Sequence, residues 1–134
     1  MKYKILVVDD EAPIRKTIRL QLEGTIYDVL EAEDGEKAIH VLNNENILEV
    51  ILIICDVRMP KVDGIEAVAY FQENYAGIPI IVLTGYPDVQ LAVDFMKGGV
   101  VDYLVKPVEK DKLVEAVGKA ARQRITFSGS QPKV

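Results

Sequence analysis

Residues 50–56 read Val-Ile-Leu-Ile-Ile-Cys-Asp, an apolar run that ends in a carboxylate. A short run of this kind, rich in β-branched residues, is typical of a strand that helices cover on both faces of a parallel sheet. It is far shorter than the roughly 20 apolar residues that a membrane-spanning helix needs. We therefore predict a central strand of an α/β domain, with Asp56 at its carboxyl end.

Segments of strand length alternate with segments of helical period on both sides of this run, which indicates βαβ units. The predicted strands are 3–8, 27–32, 50–55, 79–83 and 101–105, and the predicted helices lie near 12–23, 35–44, 64–74, 87–97 and 109–123. The second strand carries Asp28 and Glu31 and the fifth carries Asp102, so we predict that these two are the sheet edges. Right-handed crossovers then favour the order 2-1-3-4-5, a flavodoxin-like, doubly wound, five-stranded parallel sheet with five helices.

Several residues mark the ends of the predicted helices. Asp34 is a candidate N-cap of the second helix, and Asp63 with Glu66 has the spacing of a capping box for the third. Pro87 suits the first turn of the fourth helix, and Gly98-Gly99 suits its end. These signals support the alternation of strands and helices.

The length and charge of the chain limit what it does. Its 134 residues favour one domain, which we expect at 1–124, with a flexible tail or the start of a linker at 125–134. The net charge of −5 provides no basic footprint, so we expect no direct nucleic-acid binding by this chain. Cys55 is the only cysteine, and the sequence shows neither a signal-peptide pattern nor a membrane span. We therefore expect a cytoplasmic protein without a membrane partner.

Acidic residues follow two strands at the point where the predicted strand order reverses. Asp9 and Asp10 follow the first strand, and Asp56 ends the third. Ligands of open α/β sheets bind at this reversal, outside the carboxyl ends of the strands. Two carboxylates about 5 Å apart repel by roughly 3 kcal/mol at an effective dielectric near 20, so three are hard to keep ionised without a cation. An oxygen-only ligand set favours Mg²⁺.

Two further polar residues end on the same edge of the predicted sheet. Thr84 follows the fourth strand and Lys106 follows the fifth. The combined set suits phosphoryl transfer, in which positioning and charge neutralisation provide most of the catalysis. Asp56 is the candidate nucleophile because a carboxylate can form an acyl phosphate. Lys106 and the Thr84 hydroxyl would contact the phosphoryl oxygens.

Four short blocks of the sequence resemble the signature blocks of response-regulator receiver domains of two-component signal transduction, of the chemotaxis-regulator-like kind. The blocks are Val7-Val8-Asp9-Asp10-Glu11, Asp56-Val-Arg-Met-Pro60 followed by Asp63-Gly64, Leu83-Thr84-Gly85, and Asp102-Tyr103-Leu-Val-Lys106-Pro107. Each block alone is a weak signal, but four in this order and spacing are very specific. The resemblance covers nearly the whole chain, from about 4 to 122.

The resemblance implies a phosphorylation site and a metal site at the acidic residues. Asp56 matches the phosphoacceptor of the family and also a Mg²⁺ ligand. Asp10 matches the direct metal ligand, Asp9 its partner, and the backbone carbonyl of Arg58 the third protein ligand. The implied phosphodonor is a histidine kinase or a histidine phosphotransfer protein.

The resemblance also implies a conformational switch. Thr84 and Lys106 match the phosphoryl-binding pair of the family, and Tyr103 matches the switch aromatic. The peptide bond between Lys106 and Pro107 is expected to be cis, although only about 5–6% of X-Pro bonds are. Such a domain is a signalling switch and not an enzyme beyond assisting its own phosphotransfer and slow autodephosphorylation.

The output of the switch is expected at the face formed by helix 4, strand 5 and helix 5. Val89, Val93 and Phe95 of the fourth helix are candidates for a phosphorylation-dependent homodimer contact through this face. The alternative, which we favour from the sequence, is that these three side chains pack the helix on the sheet. His40 is the only histidine in the chain, and we expect it on the surface and not as a phosphodonor.

Three other interpretations fit parts of the same sequence. A flavodoxin-type cofactor protein shares the architecture, but its phosphate loop after the first strand would not begin Asp-Asp-Glu. A receiver-like module that binds partners without being phosphorylated would normally lack an acidic or lysine position, and none is missing. A hydrolase would need a second general acid near Asp56, which the sequence does not supply.

Overall fold

A computed structural model of the chain describes residues 2–57 and 64–129, with side chains up to residue 124. Within these residues five β-strands alternate with five α-helices. The strands are β1 (Tyr3–Val8), β2 (Tyr27–Ala32), β3 (Val50–Asp56), β4 (Ile80–Thr84) and β5 (Asp102–Val105). The helices are α1 (Ala12–Gln21), α2 (Gly35–Asn43), α3 (Gly64–Asn74), α4 (Val89–Lys97) and α5 (Lys110–Gly129). A short 3₁₀ helix at Ile47–Glu49, which we did not predict, precedes β3.

The strands form one parallel sheet in the order β2-β1-β3-β4-β5, which confirms the predicted flavodoxin-like fold. Val8 of β1 lies opposite Cys55 of β3, and Asp56 lies opposite Leu83 of β4. Thr84, the last residue of β4, lies opposite Val105 of β5. This register brings the carboxyl ends of β1, β3, β4 and β5 to one edge of the sheet.

Two apolar layers hold the helices on the two faces of the sheet. On one face α2, α3 and α4 bury side chains that include Leu42, Phe71 and Phe95. On the other face α1 and α5 bury side chains that include Ile18 and Leu113. Every residue of β3 is buried, as expected of a central strand covered on both faces, whereas the predicted edge strand β2 is only half-buried along most of its length.

The helix-end predictions have mixed outcomes. Asp34 caps α2, and its carboxylate accepts a hydrogen bond of 2.8 Å from the Lys37 N–H. Gly98 and Gly99 end α4, and Gly99 has a φ of +101°, a conformation that glycine adopts without strain. Asp63, of the predicted capping box, lies outside the described residues.

The predicted position of Pro87 in the first turn of α4 is wrong. The helix begins at Val89, after the N-cap Asp88, whose carboxylate accepts a 3.0 Å hydrogen bond from the Leu91 N–H. An aspartate at the N-cap satisfies a backbone donor that the helix itself leaves without a partner. Pro87 therefore precedes the helix.

The expectation that Val89, Val93 and Phe95 all pack α4 on the sheet is also wrong for two of the three. Phe95 is 8% exposed, but Val89 is 82% and Val93 is 40% exposed. Residues two positions apart on an α-helix point about 200° away from each other, so Phe95 and Val93 cannot share a face. The sheet-facing positions are those of Phe95 and Leu91, four residues apart.

Helix α5 extends further than predicted and is held near its end by a buried arginine. Arg124 donates hydrogen bonds of 3.0 Å to the carbonyl of Gly77 and 2.9 Å to that of Ile47. The helix reaches Gly129 and so overlaps the predicted tail, and the division into a domain at 1–124 and a tail stays a prediction. Among the helices described here, none has the length and apolar content to span a bilayer.

Candidate functional site

Four carboxylates meet where β1 and β3 end. Asp9 and Asp10 directly follow β1, Glu11 is the N-cap of α1, and Asp56 is the last residue of β3. One carboxylate oxygen from each residue lies within 4.8 Å of those of the others. Asp9 and Asp56 are only 1% and 3% exposed, whereas Asp10 and Glu11 are exposed. The structure thus brings together the three aspartates selected from the sequence.

The ammonium of Lys106 lies among these carboxylates. Its Nζ is 2.8 Å from Asp9 Oδ2, 3.1 Å from Asp56 Oδ2 and 3.4 Å from Glu11 Oε2. The Lys106 backbone N–H donates a 2.8 Å hydrogen bond to the Thr84 carbonyl, which fixes the chain as it leaves β5. The peptide bond that follows, between Lys106 and Pro107, is cis. Lys106 is thus shared by three of the four acidic groups, Asp9, Glu11 and Asp56.

The pKa values of Asp9 and Lys106 are both raised at this site, for different reasons. Burial raises the pKa of Asp9 above its ordinary value, although the contacts with Lys106 and the Glu11 N–H act in the opposite direction. Burial by itself would lower the pKa of Lys106, but its interactions with Asp9 and Asp56 outweigh burial and raise it. The contact between Asp9 Oδ2 and Lys106 is an ion pair without hydrogen-bond geometry, so this buried oxygen has no hydrogen-bond donor among residues 2–57 and 64–124.

The acidic cluster fits a hard divalent cation. Its donors are carboxylate oxygens, which Mg²⁺ and Ca²⁺ prefer, and Mg²⁺ usually takes one or two carboxylates and keeps several waters. The buried Asp9 Oδ2, which lacks a hydrogen-bond donor, is an oxygen that a cation would satisfy. Arg58, whose backbone carbonyl was expected to complete the ligand set, lies outside the described residues.

Glu11 is a member of the cluster that the sequence interpretation did not assign. It lies at the start of α1, and its side chain turns back toward Lys106. Its position directly after Asp9-Asp10 was the one indication in the sequence. An acidic residue before a helix is also a common N-cap, so the sequence did not distinguish a site residue from a helix cap.

A cleft of about 260 Å³ opens beside the cluster and is lined by Glu11, Asp56, Gly85, Tyr86 and Lys106. Thr84 is buried next to this cleft, at the end of β4. Its hydroxyl accepts a 3.0 Å hydrogen bond from the Tyr86 N–H, which ties it to the loop after β4. The carboxylate of Asp56 is therefore reachable through an opening that is large enough for a phosphoryl group and its first waters.

Tyr103 connects β5 to the start of α4. Its hydroxyl accepts a 3.3 Å hydrogen bond from the Asp88 N–H, and its ring lies 6.4 Å, between centroids, from that of Phe95. Asp88 is the N-cap of α4, so a rotation of the Tyr103 side chain would remove a contact at the beginning of that helix. Thr84 and Tyr103 thus contact opposite ends of the same short segment, 86–88.

Gly64 is a second residue at this site that the sequence interpretation did not assign. It is the first residue of α3, and a Cβ atom added to it would lie 2.2 Å from the Val57 Cα and 2.6 Å from the Asp56 carbonyl oxygen. Because no side chain fits there, only glycine lets α3 begin directly against the backbone of the Asp56 strand end. His40, by contrast, is exposed on α2, as expected.

Most of the chain matches the model of one protein family. Residues 5–118 match the model of a family described as the response regulator receiver domain.

Curated relatives are longer proteins of which the chain matches one part. It is 38% identical over 119 residues to the transcriptional regulatory protein GlrR of Escherichia coli (strain K12), covering 89% of this chain and 26% of GlrR. It is 36% identical over 122 residues to the transcriptional regulatory protein FixJ of Bradyrhizobium diazoefficiens, covering 91% of this chain and 58% of FixJ. The chain thus spans about a quarter of one relative and just over half of the other.

Solved structures of similar length match over nearly their whole chains. A response regulator receiver domain protein from Clostridium thermocellum has a TM-score of 0.85 at 30% identity, covering 93% of this chain and 98% of that one. A response regulator receiver protein from Pseudomonas putida has a TM-score of 0.81 at 37% identity, covering 89% and 98%.

Proposed function

Because the chain belongs to the response regulator receiver domain family, we propose that Asp56 accepts a phosphoryl group from a histidine kinase or a histidine phosphotransfer protein. Family membership makes the domain a signalling switch of a two-component system and leaves the flavin-binding and hydrolase alternatives without support. The observation that carries the proposal is the position of Asp56, a nearly buried carboxylate that ends the central strand beside two further aspartates and 3.1 Å from Lys106.

The proposed reaction is a displacement at phosphorus. A carboxylate oxygen of Asp56 forms a bond to the phosphorus of the phosphohistidine, the P–N bond breaks, and the histidine nitrogen keeps the electron pair. Lys106 already lies beside the attacking carboxylate, so its ammonium can contact the phosphoryl oxygen on which negative charge develops. The exposed opening at Gly85 and Tyr86 supports access for the donor histidine.

We further propose that Asp9, Asp10, Asp56 and the backbone carbonyl of Arg58 hold Mg²⁺. Bound there, the ion would neutralise charge between the nucleophile and the phosphoryl oxygens. The closeness of the four carboxylate oxygens, all within 4.8 Å of one another, supports this assignment, because a divalent cation would offset their mutual repulsion.

The switch that we propose begins at Thr84. To reach a phosphoryl oxygen, its hydroxyl would give up the hydrogen bond from the Tyr86 N–H, and the loop after β4 would shift. The hydroxyl of Tyr103 bonds to Asp88 in the same loop, so the shift would release this side chain to turn inward. The start of α4 would change with it, which makes α4, β5 and α5 the output face.

This output face carries exposed apolar side chains. Val89, Val93 and Met96 recur at helical spacing on α4, and Val105 is exposed on β5. An exposed apolar surface of this kind supports a partner contact, and we propose a phosphorylation-dependent homodimer there. The chain matches only part of its transcriptional-regulator relatives, so DNA binding by a longer protein is also a proposal, and we expect none from this domain. The buried, free Cys55 fits the cytoplasmic location that we infer.

The test is phosphorylation of the purified chain by a small-molecule phosphodonor with Mg²⁺, followed by intact mass. We expect one phosphoryl group on the wild type and none on Asp56→Asn, while Asp28→Asn, which removes an exposed aspartate of β2, behaves as the wild type. In parallel, Mg²⁺ with beryllofluoride should shift the NMR signals of Thr84 and Tyr103. If the wild type is neither modified nor shifted, the alternative of a non-phosphorylated receiver-like interaction module is favoured.

A further inference from the structure

Three of the four polar atoms of Asp9 form hydrogen bonds that hold this residue in place. Its backbone N–H donates a 3.1 Å hydrogen bond to the Ala32 carbonyl of β2. Its carbonyl accepts a 2.6 Å hydrogen bond from Nη1 of Arg15, and its Oδ1 accepts one of 2.9 Å from the Glu11 N–H. The remaining atom, Oδ2, is the buried oxygen that faces Lys106 without hydrogen-bond geometry. The turn after β1 is thus oriented so that Asp9 Oδ2 lies inside the acidic cluster, beside Lys106.

Arg15 is itself anchored on the opposite side of this turn. It lies in α1, and its Nε donates a 2.9 Å hydrogen bond to Oε1 of Glu31 in β2. The other oxygen of Glu31 pairs with the guanidinium of Arg19, one turn further along the same helix. The Arg15 side chain is only 15% exposed, so its planar guanidinium is held between a strand carboxylate and the backbone of the site.

We propose that Arg15 is a positioning residue for the metal and phosphorylation site. Because its guanidinium is hydrogen-bonded both to Glu31 and to the Asp9 carbonyl, it holds the Asp9 carboxylate in its metal-binding orientation. Because Arg15 contacts the Asp9 carbonyl and the Glu31 carboxylate, it would act through Asp9 and not as a ligand. The inference rests on the proposed function, because it concerns the same Mg²⁺ site.

A positioning role and a purely electrostatic role predict effects of opposite sign. Arg15 is a positive charge behind the site, and a positive charge repels Mg²⁺. If charge alone mattered, its removal would tighten Mg²⁺ binding, as would removal of the nearby Arg19. If Arg15 orients Asp9, its removal weakens Mg²⁺ binding even though the repulsion is relieved. Residues behind metal ligands typically change metal affinity by roughly 10- to 100-fold when they are replaced.

The experiment measures Mg²⁺ affinity of the purified chain by calorimetry, and its stability by urea unfolding in EDTA. Arg15→Met should weaken Mg²⁺ binding about tenfold or more. Arg15→Lys keeps the charge but lacks the planar fork, so it should also weaken binding, and Glu31→Gln should weaken it to a lesser degree. Arg19→Met is the matched control, because it removes the same charge from the same helix and reaches Glu31 from a more exposed position. It should leave the affinity within about twofold of the wild type.

A phosphorylation assay separates positioning from a general loss of fold. With the small-molecule phosphodonor in excess, Arg15→Met should need more Mg²⁺ for its half-maximal rate while approaching a similar maximal rate at saturating Mg²⁺. A merely structural role would instead lower the urea midpoint without changing this Mg²⁺ requirement. Should Arg15→Met not fold, Arg15→Lys and Glu31→Gln provide the same comparison.

The outcomes distinguish this inference from the function on which it rests. If the wild type binds Mg²⁺ and Arg15→Met binds it equally well or more tightly, the positioning role is refuted and the proposed function stands. If the wild type binds no Mg²⁺ at millimolar concentrations, the proposed metal site fails and the role of Arg15 fails with it. Weakening in Arg15→Met, Arg15→Lys and Glu31→Gln, with Arg19→Met unchanged, supports the inference.

Discussion

Replacing Lys106 by methionine removes the ammonium that lies among the buried carboxylates. We expect Lys106→Met to lower the free energy of unfolding of the metal-free protein by about 3–5 kcal/mol, the usual cost of removing one partner from a buried ion pair. Methionine has nearly the length of the lysine stem, so the change acts mainly on charge. The size of the effect follows from the distances at the site.

The attraction of Lys106 for Asp9 and Asp56 is larger than the repulsion between these two carboxylates. At an effective dielectric near 20, the 2.8 Å contact with Asp9 and the 3.1 Å contact with Asp56 correspond to about 6 and 5 kcal/mol. Oxygens of the two aspartates within 4.8 Å of each other repel by about 3.5 kcal/mol or more on the same scale. Desolvation of the lysine offsets much of the attraction, but the repulsion remains after the lysine is gone. We therefore expect the free energy of unfolding of Lys106→Met to be lower by several kcal/mol.

The assay is urea unfolding followed by circular dichroism, in EDTA and then in Mg²⁺. Lys119→Met, on an exposed position of α5, is the matched control and should stay within about 0.5 kcal/mol of the wild type. Mg²⁺ should stabilise Lys106→Met more than the wild type, because an ion that binds only the folded state replaces the missing charge. A variant within 1 kcal/mol of the wild type in EDTA, or a gap that Mg²⁺ leaves unchanged, would refute the reasoning.

Three other substitutions test neighbouring parts of the structure. Because burial raises the pKa of Asp9, its ionised form costs stability above that raised pKa; Asp9→Asn should therefore be more stable than the wild type at neutral pH in EDTA. The difference in urea midpoint should shrink as the pH falls through the raised pKa of Asp9, because the wild-type carboxyl then becomes protonated in the folded state. Gly64→Ala should cost about 3 kcal/mol or more, since its Cβ would lie 2.2 Å from the Val57 Cα, whereas Gly118→Ala within α5 should gain up to about 1 kcal/mol. Arg124→Met should lose about 2–4 kcal/mol, as it removes two charged hydrogen bonds to carbonyls that precede β3 and β4. Equal urea midpoints for the two glycine variants, or an unchanged midpoint for the arginine variant, would contradict the packing described.

The fold could be predicted where local sequence and tertiary environment agree. The apolar run of β3 is buried on both faces, and Asp34 caps its helix through a contact three residues away. The predicted start of α4 was wrong because two adjacent residues, Pro87 and Asp88, both suit the beginning of a helix. The sequence alone does not show which of the two precedes the first helical residue. The far end of α5 depends on Arg124, whose partners are 47 and 77 residues away in the sequence. Contacts over such separations leave no periodic signal.

The composition of the site could be predicted, but its internal contacts could not. Strand ends in a parallel sheet meet at one edge, so the topology alone brings Asp9 and Asp56 near Lys106. That the ammonium lies between the two carboxylates, or that Glu11 turns back toward it, depends on side-chain rotamers and on the loop conformations around them. The hydrogen bond from Arg15 to the Asp9 carbonyl likewise could not be predicted, because nothing in the sequence distinguishes this arginine from any other in the first turn of a helix.

The charges at the site also dictate an order of events for the proposed reaction. Within the part of the chain that the structure describes, the four carboxylates and the ammonium of Lys106 carry a formal charge of −3, and an incoming phosphoryl group would add to it. A divalent ion held by these carboxylates would reduce the sum to −1, which would ease the approach of a phosphoryl donor. Such an ion would share oxygens of Asp9 and Asp56 with the ammonium of Lys106, so we expect the lysine to give up one of these two contacts. On the proposed phosphorylation, Lys106 would then be placed to contact a phosphoryl oxygen, so that the lysine that stabilises the resting site would also stabilise the phosphorylated site.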